Sequence, residues 1–155
     1  MSSELNVGDV APEFALPSDA GETVRLADLR GRRVVLYFYP KDDTSGCTKE
    51  ACSFRDARPA YEDRDVVVLG VSPDGVASHE KFRDKYDLNF PLLADTDHAV
   101  AEAYGAWGKK KMYGREYEGV LRSTFVIGPD GRLEKIYRKV KPAEHAEQIL
   151  ADLEA

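Results

Sequence analysis

Two unbroken apolar runs dominate the pattern of the chain, positions 34–39 in "RRVVLYFYP" and positions 66–71 in "DVVVLGVS". Neither run alternates with polar residues, so each predicts a strand buried on both faces, as in a sheet covered by helices. Between them, "CTKEACSFRDARPAY" brings Phe54, Ala57 and Tyr61 onto one helical face. Strand, helix, strand in that order is a parallel crossover unit. Pro59 interrupts the helical pattern and predicts a kink or a stop near Arg58.

Further along, Phe82 and Tyr86 mark an amphipathic helix, and "TDHAVAEAYG" predicts another from a Thr96 cap to a Gly105 stop. "STFVIGPDGRLEKIYRKV" reads as two strands joined by a Pro-Asp-Gly turn. Pro142 opens a terminal helix with an apolar stripe of Ala146, Ile149, Leu150 and Leu153. Upstream, "FALPSDAGETVRLADL" predicts a small hairpin ahead of a short helix. The least regular stretch, "GKKKMYGREYEG", reads as an exposed loop whose three lysines are a solvated charge run. The order of elements predicts an α/β sheet with helices on both faces, in one domain covering residues 1–155.

Composition narrows the function classes. The chain has 155 residues, 43% of them apolar and 32% charged, the profile of an ordinary folded protein. Its 28 acidic residues against 22 basic ones give a net charge of -6 without a basic stripe, which argues against nucleic acid as a partner. The N-terminal "MSSELNVGDVAPEF" carries neither a basic leader nor an apolar stretch of signal length, and no run reaches membrane-spanning length. The expected location is cytoplasmic, without a membrane partner.

Both cysteines fall in one short stretch, "FYPKDDTSGCTKEACSFRD". In the cytoplasm such a pair is more often catalytic, redox-sensing or metal-binding than a permanent disulfide. Zinc fits poorly, because His79, His98 and His145 are scattered with no paired spacing and are expected to be solvated helix residues. Cys47 follows a strand and opens a helix, where unsatisfied amides and the positive end of the helix dipole favour a thiolate. Thr44 supplies a hydroxyl three residues earlier. Read alone, Thr44 is also an ordinary helix cap and Cys47 a small packing residue.

"PKDDTSGC" fits P-x-x-x-T-x-x-C through Pro40, Thr44 and Cys47, and here the sequence resembles a peroxiredoxin. "CTKEAC" resembles more narrowly the peroxiredoxin Q, or bacterioferritin comigratory protein, type. The similarity runs from "VGDVAPEFALP" through "VLGVSPD" to "GKKKMYGREYEGVLRSTFVIGPDG". Two departures are Ser45, where relatives commonly carry proline, and Gly128, where aspartate is common.

The resemblance implies a thioredoxin-like fold with a central mixed sheet and an N-terminal hairpin extension. It implies a peroxidase acting on hydrogen peroxide or small organic hydroperoxides without metal or organic cofactor. Cys47 would be the peroxidatic residue, Cys52 the resolving one, and Thr44 would hydrogen-bond thiolate and peroxide. Pro40 would shield the sulfur, and Arg122 in "LRSTFVI" would complete the site. A guanidinium aimed at Cys47 would also stabilise charge on a leaving hydroxide. Glu50, one turn after Cys47, is useful there if it holds Arg122. A thioredoxin-like reductant would reopen the disulfide, and the type leans towards a monomer. Two other functions suit the same fold, a disulfide oxidoreductase and a redox-sensing binding module.

Overall fold

The first apolar run forms the centre of the sheet. The computed structural model describes residues 5–112, 114–138 and 140–154. Residues 1–4 of the stretch read for a leader, Tyr113 of the lysine-rich stretch and Lys139 near the chain's end lie outside them. Two short strands, β1 (Ala15–Pro17) and β2 (Thr23–Arg25), pair antiparallel and lead into a 3-10 turn at Leu26–Leu29, the expected N-terminal hairpin and short helix. Then follow β3 (Arg33–Phe38), α1 (Ser45–Asp63), β4 (Val66–Ser72), α2 (Val76–Tyr86), β5 (Leu92–Ala94) and α3 (Ala99–Ala103). The chain continues through β6 (Trp107–Met112), β7 (Arg115–Val120), β8 (Ser123–Ile127), β9 (Leu133–Tyr137) and α4 (His145–Glu154).

Five strands form a mixed sheet in the order β5-β4-β3-β8-β9. β3 pairs in parallel with β4 and β4 with β5, whereas β8 is antiparallel to both β3 and β9. Because side chains alternate along a strand, β3 feeds two cores at once. Val34, Leu36 and Phe38 pack with the N-terminal hairpin, Ala101 and Tyr104 of the α3 region, and β8. Val35, Tyr37 and Tyr39 pack with Ala51, Phe54 and Tyr61 of α1, Phe82 of α2, and Ala146 and Ile149 of α4. Gly70, opposite Tyr37 in the register, has to be glycine, since a Cβ there would come within 2.9 Å of the Tyr37 ring and hydroxyl.

The structure differs from the sequence reading at several points, each with a local cause. α1 runs through Pro59 to Asp63 and does not stop near Arg58. Proline removes the amide that would serve the Arg55 carbonyl four residues earlier, and Asn89 Nδ2 donates to that carbonyl at 3.1 Å instead. Thr96 does not cap α3, because the Asp95 carboxylate accepts from the amides of Val100 and Ala101 at 3.2 and 2.9 Å. Pro142 stands in a turn ahead of α4, whose first residue is His145.

"GKKKMYGREYEG" is an antiparallel hairpin, β6 with β7, and not a loop. Its register sets Lys109 opposite Glu118, a favourable cross-strand charge pair. His79 and His145 are fully buried and not solvated, whereas His98 is half-buried and stacks on Trp107 at 3.8 Å. Among the described residues, no helix is long and apolar enough to cross a membrane.

Candidate active site

The turn from β3 into α1 places the candidate residues together. Pro40 stands half-buried just past β3, and Thr44 occupies the N-cap of α1 in an extended conformation. Its carbonyl accepts from the Thr48 amide at 2.8 Å, while its exposed hydroxyl donates to the Lys41 carbonyl at 3.0 Å. That hydroxyl is turned to Lys41 in this arrangement, away from a bond to Cys47. Cys47, in the first turn of α1, is 1% exposed.

Arg122 reaches the sulfur from the segment between β7 and β8, 75 positions along the chain. Its Nη2 donates to Cys47 Sγ at 3.0 Å and its Nη1 to Glu50 Oε1 at 2.5 Å. Gly46 lies beside the guanidinium, where a Cβ would stand in ordinary van der Waals contact, 3.4 Å from Arg122 Nη2. Burial works against the Arg122 charge, but Glu50 and Cys47 outweigh it and hold the guanidinium above its ordinary value. A fixed cation at that distance is placed to stabilise negative charge on sulfur or on an oxygen beside it.

Glu50 is completely buried one turn beyond Cys47. Loss of solvent pushes its carboxyl up from 4.5 to about 7, against the pull of Arg122. The folded chain therefore holds the Glu50 proton more tightly than the unfolded chain. That stabilisation is complete below the unfolded value near 4.5 and is lost as pH rises through about 7. Between about pH 5 and pH 7.5, wild type is expected to lose on the order of 2 kcal/mol more stability than Glu50→Gln. Urea unfolding across that range checks this, and parallel stability curves would count against it.

Cys52 lies half-buried on the same unbroken helix, and both thiols are free. Three further groups surround the site that the sequence pattern did not single out. The Tyr37 hydroxyl is buried and held well above its ordinary value by burial first, then by Glu50 and Cys47. Lys110 donates to the Val120 carbonyl at 2.9 Å, and burial followed by Arg122 lowers its amine while Cys47 acts the other way. His145 shares a 2.7 Å hydrogen bond with Thr124 Oγ1, and burial pushes it down to about 4, so it is neutral near pH 7. Strand alternation is the signal for Lys110, which on β6 faces the opposite side from Lys109.

The AhpC/TSA family model matches residues 7–136. The chain is 49% identical to peroxiredoxin Bcp of Bacillus subtilis over 149 residues, 96% of this chain and 95% of that one. It is 43% identical to peroxiredoxin Bcp of Escherichia coli K12 over 146 residues, 94% of each. Among solved structures, a cysteine variant of Xylella fastidiosa PrxQ superposes with a TM-score of 0.92 at 37% identity, covering 99% of this chain and 98% of that one. A Xanthomonas campestris bacterioferritin comigratory protein, studied for its alkyl peroxide reduction activity, gives 0.86 at 39% identity over 91% and 90% of the two chains. With a thioredoxin-like mixed sheet and a cysteine met by an arginine at the start of α1, the chain belongs to the AhpC/TSA family as a peroxiredoxin of the Bcp/PrxQ type, a thiol-dependent peroxidase.

Proposed function

We propose that Cys47 is the peroxidatic residue and Cys52 the resolving residue of a catalytic cycle confined to one chain. The observation that carries the reading is the 3.0 Å contact of Arg122 Nη2 with Cys47 Sγ, backed by Glu50 on the other guanidinium nitrogen. The Cys47 thiolate attacks one oxygen of ROOH; the S–O bond forms as the O–O bond breaks, and RO⁻ leaves and takes up a proton. Arg122 stabilises the charge that develops on the leaving oxygen. Pro40 limits access of water, and Thr44 orients the peroxide after its hydroxyl turns from Lys41.

Cys52 then displaces water from the sulfenic acid to form the Cys47–Cys52 disulfide. An external dithiol reopens it by exchange, and a thioredoxin-like protein is the proposed donor. Hydrogen peroxide and small organic hydroperoxides are the proposed substrates, and the proposed setting is a cytoplasmic monomer. Stopped-flow mixing of reduced protein with hydrogen peroxide is expected to show fast loss of one equivalent. Reduction of insulin disulfides without peroxide loss would instead favour a disulfide oxidoreductase and overturn the reading.

A further inference from the structure

Beside the turn from β3 into α1 lies a buried polar cluster that the peroxide reaction as described does not use. Asp42, five residues before Cys47, is drawn inward, and both its carboxylate oxygens are engaged. Tyr39 OH donates to Oδ1 at 2.6 Å, Ser78 OH donates to Oδ2 at 2.8 Å, and His79 Nδ1 meets Oδ2 at 2.7 Å. His79, 0% exposed on α2, uses its other nitrogen on the Leu93 carbonyl of β5 at 2.9 Å. A carbonyl only accepts, so Nε2 carries a proton, and a second proton must lie between Nδ1 and Asp42.

Asp42, Asp74 and His79 offer ligand atoms within 4.8 Å of one another. Those atoms are nevertheless bound into hydrogen bonds, with Asp74 Oδ2 accepting from the Asp42 amide at 2.7 Å and the Ser72 hydroxyl at 2.9 Å. The cluster is thus a fastening and not an open cradle. It acts on one segment, residues 40–44, and within that segment Asp42 is the buried residue it holds. Asp43 takes a left-handed φ of 58°, and its carboxylate is tied to Lys85 and Tyr86 at the far end of α2.

We propose that His79 is a positioning residue for peroxide reduction: by holding Asp42 it fixes the segment that aims the first turn of α1, and with it Cys47, at Arg122. The inference rests on the assignment of Cys47 as the peroxidatic residue. Misplacement of a reacting group by about 1 Å costs up to a hundredfold in rate, so a fastening on the lead-in to α1 reaches the chemistry without touching it.

The two ring nitrogens can be tested separately. An asparagine amide nitrogen reaches roughly the place of Nδ1, and a glutamine amide nitrogen roughly that of Nε2. His79→Asn therefore keeps a donor for Asp42 and gives up Leu93, whereas His79→Gln keeps Leu93 and gives up Asp42. Single-turnover loss of hydrogen peroxide is expected to slow about tenfold or more in His79→Gln and to stay within about threefold of wild type in His79→Asn. Thermal unfolding is run beside it. Equal slowing in both variants, or unchanged rates in both, overturns the proposal, because a purely structural histidine would not distinguish the nitrogens. If neither variant folds, Ser78→Ala removes a milder donor to the same carboxylate: about twofold or greater slowing of the same step supports the proposal, and an unchanged rate overturns it. A wild-type protein that fails to consume peroxide through Cys47 would instead refute the proposed function itself.

Discussion

Replacing Cys47 by serine is expected to remove peroxide turnover, a fall of at least about a thousandfold, while the chain still folds. A serine hydroxyl is not appreciably ionised near neutral pH, and its oxygen is a poor nucleophile towards an O–O bond. The side chain it replaces is buried and receives a hydrogen bond from Arg122 Nη2, a bond that a serine oxygen can still accept. Unfolding of the variant should therefore remain cooperative. Cys52 cannot stand in, because a helix turns by roughly 140° over five residues and carries the second thiol away from the face that meets Arg122. The measurement is peroxide consumption under excess reductant, with circular dichroism to verify the fold. A variant within about tenfold of the wild-type rate would assign the nucleophile elsewhere.

The parts of this molecule that were legible in its sequence are those decided by near neighbours. An apolar run at positions 34–39 reports a strand covered on both faces, and β3 does feed two cores. The cysteine at a strand-to-helix junction is a local pattern, and so is the turn between β8 and β9. What could not be read was decided by partners far along the chain. Pro59 is tolerated because Asn89, thirty positions later, donates to the Arg55 carbonyl that proline leaves without an amide. His79 looks like any polar residue on an amphipathic helix until Asp42, 37 positions earlier, is seen beside it. Strand β5 has only three residues and is recognised by its pairing with β4, not by length or alternation.

Oxidation of the wild-type protein with one equivalent of peroxide is expected to lower its far-UV helical signal, because the two cysteines cannot join on the helix as it stands. Cys47 and Cys52 both belong to α1, which is continuous from Ser45 to Asp63. On such a helix, positions five apart differ by about 7.5 Å in rise, and their Cα atoms lie ~8–9 Å apart, beyond the roughly 7 Å limit of a disulfide. The first turns of α1 therefore have to unwind once Cys47 is oxidised. Unwinding is also expected to draw Cys47 out of its contact with Arg122, so that attack on peroxide and disulfide formation would take different conformations of the same residues. Trypsin cuts after Lys49, which separates the peptide of residues 42–49 from that of residues 50–55 and lets their linkage be read by mass spectrometry. Cys52→Ser should still consume one equivalent, with no loss of helix, and then stop at sulfenic acid or pass to sulfinic acid in excess peroxide. Disulfide-linked dimers through Cys47 alone, or a Cys52 that stays a free thiol throughout turnover, would overturn the single-chain cycle.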